Sequence, residues 1–329
     1  MTMSAESSDD ASAPQGRIPD FFIVGHPKSG TTALYEMLRR HPQIHMPVKE
    51  PWFFSPELRS RLQPEGSPQQ PVTLDGYLSL FDAALPGQRV GDATPSYLRS
   101  RTAAARIAAL QPGARIVAIL REPTSFLRSM HLQDVQSHIE TETDFGKAIA
   151  LEGARREGRE IPRDCARPDA LLYSEQVRYV EQLRRYEALF GAEQMLVLVY
   201  DDFRLDNEAT VRRVLRFLDV DDSAPIAVLD ANPTVRLRWR RLDSLLHAVS
   251  LGRGPVALAV KASIKALTPR RLRRRALQAT QRRVVYGKPR PADESVMREL
   301  RARFKGEVVA LSEYLDRDLV TLWGYENVV

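Results

Sequence analysis

Residues 21–32 read Phe21-Phe22-Ile23-Val24-Gly25-His26-Pro27-Lys28-Ser29-Gly30-Thr31-Thr32. An apolar, β-favouring run that ends at a glycine describes a strand buried on both faces. Ala33–Arg40 continue with Leu34, Met37 and Leu38 at helical spacing. His41-Pro42 ends that helix, because proline disfavours the α conformation in the residue before it. The unit is therefore strand, loop, helix. Gly25 and Gly30 free the loop backbone so that amides can converge on an anion. The helix that follows adds its positive N-terminal end. Ser29, Thr31 and Thr32 add hydroxyl donors, and Lys28 adds a full charge. A plain strand-to-helix turn would need the glycines but none of these donors, so the loop is read as a cradle for a phosphate or sulfate group.

The nucleotide-triphosphate loop, G-x-x-x-x-G-K-[ST], is the obvious competitor. Gly25 and Gly30 match its spacing, but Thr31 stands where its lysine belongs and the loop's only lysine is Lys28. The charge sits where a shorter anhydride would be met. This counts against a P-loop kinase or other nucleotide phosphotransferase, as does the want of a magnesium carboxylate.

Outward from the loop, Arg115–Leu120 and Met195–Val199 are two further buried strands, and Arg89–Ala93 is a shorter one. Helices are expected over Ser125–His138, Ala209–Leu218 and Asp293–Leu315; Val296, Leu300, Phe304 and Val308 of the last share one face. Strands alternating with helices predict an α/β, P-loop-like three-layer fold, with a central mostly parallel sheet flanked by helices. Ser55–Gln70 reads as a loop, and Thr141–Pro168 is charged and shows no core pattern. Arg121, Pro123 and Ser129 follow the second strong strand. An Arg at the carboxyl end of a strand and a Ser in the next helix can converge on one phosphate.

The chain has 329 residues, of which 43% are hydrophobic, and one cysteine, Cys165, so no internal disulfide can form. Residues 1–18 are expected to be a disordered lead and 19–329 a single domain, with a basic helical insertion at about 240–280. No stretch reaches the roughly 20 apolar residues of a membrane span, so the expected location is the cytoplasm. Ser244–Ala292 holds 12 of the 48 Lys and Arg and no Asp or Glu, leaving 36 basic and 42 acidic residues elsewhere. Such a block draws anions. It reads as a helical insertion with a solvated Arg face or as an element touching an anionic membrane surface. Stacking aromatics are not interleaved there, so neither nucleic acid nor a non-enzymatic anion-binding role is favoured. The histidines show no metal-ligand arrangement.

Phe22-Ile-Val-Gly-His-Pro-Lys-Ser-Gly-Thr-Thr and Leu120-Arg-Glu-Pro-Thr-Ser-Phe-Leu-Arg-Ser resemble the sulfotransferase family, especially its heparan sulfate and bacterial branch. The resemblance implies 3′-phosphoadenosine-5′-phosphosulfate (PAPS) as co-substrate and no metal. It implies that Lys28, Ser29, Gly30, Thr31 and Thr32 hold the 5′-phosphosulfate, and Arg121 and Ser129 the 3′-phosphate. Within Val48-Lys-Glu-Pro-Trp-Phe-Phe54 it implies Glu50 as general base, with Lys28 steadying the leaving oxygen; a surface ion pair with Lys49 is the plainer alternative for Glu50. More loosely, Arg282, Arg283 and Lys288 would reach the 3′-phosphate, with Tyr286 on the adenine. Trp52, Tyr97 and His26 are the candidate acceptor contacts, although Trp52 and Tyr97 equally suit packing. The implied acceptor is a carbohydrate, a lipid-linked sugar or a small natural product. Two departures stand out. Phe126 takes a position that is often basic, and Gly91-Asp-Ala-Thr-Pro has Ala93 where the family often has Lys.

Overall fold

The computed structural model describes residues 16–59, 70–163, 165–226, 236–237, 286–287 and 293–328. They fall into two compact units: Met1–Leu127 with Ala166–Asn232 and Leu300–Val329, and Arg128–Cys165 with Pro233–Glu299. The basic stretch that sequence marks as an insertion, together with Arg282, Arg283 and Lys288, lies outside the described residues.

The first unit is built on five parallel strands: β1 (Phe21–Gly25), β2 (Ile44–His45), β3 (Arg89–Ala93), β4 (Arg115–Leu120) and β5 (Met195–Val199), in spatial order β2-β3-β1-β4-β5. β1 is buried along its whole length, as its unbroken apolar run requires. Its side chains alternate between faces. Phe21 and Ile23 join Val117 and Ile119 of β4 under helices α1 (Thr31–Leu38), α9 (Tyr200–Leu205) and α10 (Asn207–Phe217), through Leu34, Phe203 and Val211. Phe22 points the other way and meets the Phe54 ring edge-on at 5.7 Å. The second face carries α3 (Ala103–Leu110) and α8 (Tyr179–Phe190), which pack on one another and, through α8, on β4 and β5. Each large apolar side chain buried here contributes about 1.5–3 kcal/mol. The same unit also holds α2 (Leu74–Leu78) and α7 (Tyr173–Gln176). α4 (Pro123–Gln136) begins in this unit, and α11 (Glu294–Tyr314) and α12 (Leu319–Trp323) close the chain.

The strand order decides where a ligand can sit. After β1 the chain runs to β2 and β3 on one side; after β3 it crosses to β4 on the other. The carboxyl end of β1 is thus a topological switch point, where open α/β sheets bind ligands. The loop carrying Lys28 leaves β1 at that end.

The second unit contains the end of α4, then α5 (Phe145–Ala150) and α6 (Glu152–Arg156), and an antiparallel pair of two-residue strands, β6 (Arg236–Leu237) and β7 (Tyr286–Gly287). Thr141–Pro168 was expected to show no core, yet α5 and α6 form within it. Beside the buried Ala148 and Ile149, a buried ion pair anchors them: Arg155 and Glu140, at 2% and 0% side-chain exposure, meet at 2.7 Å. The Glu140 carboxylate also accepts the amides of Thr141 and Glu142, and the Arg155 guanidinium donates to the Ala148 carbonyl at 3.2 Å.

Candidate active site

The loop between β1 and α1 is pinned on every side. The His26 amide donates to the Ile119 carbonyl at 2.8 Å, joining the loop to β4. Gly25 lies against Leu98, where an added Cβ would come within 2.5 Å of Cδ2. Gly30 has φ 88° and caps α1; a Cβ there would meet the Phe203 ring at 2.8 Å. Lys28 takes φ 61°, a left-handed conformation that is unfavourable for any residue with a Cβ. Its carbonyl accepts Nη1 of Arg121 at 3.1 Å, so the two candidate anion ligands from β1 and β4 are hydrogen-bonded neighbours. The Arg121 guanidinium lies over the Tyr200 ring at 5.0 Å, and the Tyr179 hydroxyl donates to its carbonyl at 3.0 Å. Ser29 and Thr31 are buried at the loop's inner side, and Thr32 is exposed on the first turn of α1.

Glu122 follows Arg121 and caps α4. Its carboxylate accepts the amides of Thr124 at 3.0 Å and Ser125 at 2.7 Å, with Pro123 at the first helical position. It also accepts the Tyr325 hydroxyl. Capping therefore falls to Glu122, which leaves Arg121 to the donor loop. Ser129, further along α4 in the second unit, is buried. Phe126, where a basic residue is often found, is fully buried and holds the His26 ring at 4.7 Å.

His26, a candidate acceptor contact in the sequence, is wholly buried. It is 0% exposed, lodged between Phe126 and Tyr179, with Nε2 on the Gln182 amide oxygen at 2.8 Å. Burial pushes its pKa from 6.5 to about 4; the Gln182 bond opposes this and the Arg99 charge adds to it, so the ring is neutral. Tyr97 is also 0% exposed and packs against Phe54 at 5.8 Å, so it takes the packing role that sequence had kept open for it.

The segment after β2 brings Glu50 and Trp52 to the edge of β3. The Glu50 amide donates to the Ala93 carbonyl at 3.0 Å, and Lys49 bridges Ala93 in parallel. Glu50 (φ 62°) and Trp52 (φ 57°) flank Pro51, both left-handed. Such conformations cost on the order of 1–3 kcal/mol each and gather where function needs them. The Glu50 carboxylate is paired with Lys49, as the plainer reading of the sequence anticipated. Trp52 is half-buried beneath the Arg167 guanidinium, at 5.5 Å from its ring centre.

One residue of this region went unread in the sequence. Asp92, fully buried on β3, accepts the hydroxyls of Thr94 at 2.7 Å, Tyr77 at 2.9 Å and Tyr97 at 3.1 Å. Burial raises its carboxyl from 3.8 to about 6, the three hydroxyls oppose the rise, and the Glu50 charge adds to it. An acid inside an apolar strand, next to Ala93, was the available signal. Among the described residues no group of three or more His, Cys, Asp or Glu is placed to hold a metal. Among them, too, no helix is long and apolar enough to cross a membrane.

Residues 18–230 match the sulfotransferase domain family. Human heparan sulfate glucosamine 3-O-sulfotransferase 6 is 37% identical over 116 residues, 35% of this chain and 30% of that protein. Mouse heparan sulfate glucosamine 3-O-sulfotransferase 3B1 is 27% identical over 212 residues, 64% of this chain and 49% of that protein. The chain thus spans half or less of the length of these relatives. A crystal structure of a sulfotransferase from Alicyclobacillus acidocaldarius superposes with a TM-score of 0.64 and 25% identity, covering 93% of this chain and 98% of that one. With the shifted Lys28, the paired Arg121 and the parallel sheet that positions both, the match over most of the first unit assigns the chain to the sulfotransferase domain family.

Proposed function

We propose that this chain transfers a sulfuryl group from PAPS to an acceptor hydroxyl. The observation that carries the reading is the hydrogen bond from the Arg121 guanidinium to the Lys28 carbonyl at the switch point, which joins the segments that follow two adjoining strands, with the lysine inside the loop instead of after it. A donor with an anhydride at its 5′ end and a phosphate at its 3′ carbon supplies an anion for each.

The acceptor oxygen attacks sulfur in line with the bridging oxygen, whose bond to sulfur breaks. Glu50 takes the hydroxyl proton, and the bisphosphate departs with its new charge beside Lys28. A carboxylate is suited to this if it lies within hydrogen-bond reach of the hydroxyl. A carbohydrate acceptor, free or lipid-linked, has the support of the named activities of the relatives and of the half-buried Trp52, whose ring suits a sugar face. Ala93 supports a different arrangement around the reacting oxygen from that of family members with lysine there.

The deciding experiment is thermal stabilisation. 3′-Phosphoadenosine-5′-phosphate (PAP) at 100 times its Kd should stabilise the fold by about 2.7 kcal/mol, and ADP with magnesium should do much less. An equal response to both ligands, or none to PAP, rejects the reading. Heparan sulfate oligosaccharide and 4-nitrophenol, tried side by side with PAPS, then separate a glycan acceptor from a small phenol.

A further inference from the structure

Asp92 is a buried carboxyl that the transfer reaction, as written above, does not use. It stands one residue before Ala93, whose carbonyl receives the Glu50 amide at 3.0 Å. Its second link to the same segment runs through Tyr97. The Tyr97 hydroxyl donates to the Asp92 carboxylate at 3.1 Å and accepts the Phe54 amide at 3.4 Å. The turn carrying Glu50 is therefore tied at both ends, at residue 50 to the backbone of β3 and at residue 54 to the Asp92 carboxylate by way of one phenol. Between these ties the turn holds two left-handed residues, Glu50 and Trp52, a conformation that persists only when its surroundings over-determine it.

We propose that Asp92 is a positioning residue for Glu50: through Tyr97 its carboxylate holds the 50–54 turn in its working shape. The inference rests on the reading of Glu50 as the general base.

The groups that face this pair are few. Lys49 lies on Glu50 from the same segment. Tyr77 of α2 and the Thr94 hydroxyl donate to Asp92, and the Tyr186 phenol of α8 is near enough to sense its charge. Three hydroxyls aimed at one carboxyl suit the ionised form, which accepts at every site. Protonation puts a donor among donors and breaks part of the latch. Because burial sets this ionisation at about 6, the change falls in mildly acidic solution.

The test measures PAP release from PAPS, with heparan sulfate oligosaccharide present, across about pH 5–8. In the unaltered protein kcat should rise through a limb near 6. Asp92→Asn, neutral at every pH, should lack that limb and lose kcat by about 10- to 100-fold, the scale of a misplaced catalytic group. Its thermal response to PAP should be unchanged. Tyr97→Phe should lose kcat to a similar extent and lose the limb as well, because the tie by which the carboxyl reaches the turn is gone. An Asp92→Asn protein with the original kcat and limb overturns the inference, as does one that is only less stable and slower with the limb in place. If Asp92→Asn does not fold, a Tyr97→Phe protein with full kcat overturns the latch. Glu50→Gln separates the two layers. An inactive Glu50→Gln beside an unaltered Asp92→Asn removes the Asp92 role alone, and an active Glu50→Gln removes the base itself.

Discussion

Lys28, Glu50 and Trp52 share a backbone conformation in which glycine would rest more easily. A chain selected for stability alone would place glycine at such positions. Lys28→Gly should therefore leave the melting temperature unchanged or raise it, by up to about 1 kcal/mol of stability. At the same time it should weaken PAP binding by about 10- to 100-fold, the loss of one charged hydrogen bond. Calorimetric titration and thermal melts of the same preparation check both. Glu50→Gln should bind PAP normally and lose about 100- to 10,000-fold in kcat. The identity of these residues could be read from the sequence, but their strain could not. A left-handed φ at a lysine or a glutamate has no signature in composition or spacing.

Among the elements, strands β1, β4 and β5 were legible from their continuous apolar runs, which suit the interior of an α/β sheet; β1 and β4 are buried almost throughout, and β5, at the sheet edge, leaves Met195 and Val197 half-buried. Their expected and observed limits agree at Arg115–Leu120 and Met195–Val199. Helix α8 went unread although Tyr179, Leu183, Tyr186 and Phe190 form a buried face. Four charged residues and a glutamine interleaved with that face masked the stripe. Helices α5 and α6 were hidden for another reason: they bury few apolar side chains, and hydropathy cannot register the buried ion pair of Glu140 and Arg155 beside them. Strand β3 offers a test of how tightly the sheet is built. An added Cβ at Gly91 would lie 2.2 Å from Cζ of Phe21. Gly91→Ala should destabilise the protein by at least the 1–3 kcal/mol of an overpacked core, seen as a lower denaturation midpoint with an unchanged slope.

At the scale of the whole molecule, two buried groups pull stability in opposite directions with pH. Asp92 has its folded pKa raised from 3.8 to about 6, so its contribution is fully present below about 4 and is lost as pH rises through 6. His26 has its folded pKa lowered from 6.5 to about 4, so its contribution is present above 6.5 and is lost as pH falls through 4. Each is worth on the order of 3 kcal/mol, and over the shared window they largely cancel. Asp92→Asn should gain stability relative to the unaltered protein as pH rises from about 4 to 6, and His26→Gln should lose it. Parallel denaturation series at several pH values would show two difference curves of opposite slope. Neither effect was legible in the sequence, which shows an aspartate and a histidine but not their depth.

The order of the strands also bears on how the protein is made. β1 leaves the ribosome before either of its neighbours in the sheet, and Arg121 is synthesised 93 residues after the Lys28 whose carbonyl it holds. The anion cradle thus begins with the first strand of the sheet and gains Arg121 only once β4 has followed. A nascent chain arrested before β4 carries the whole loop and half of its grip, so nucleotide capture during synthesis would mark the moment at which the sheet closes around its central strand.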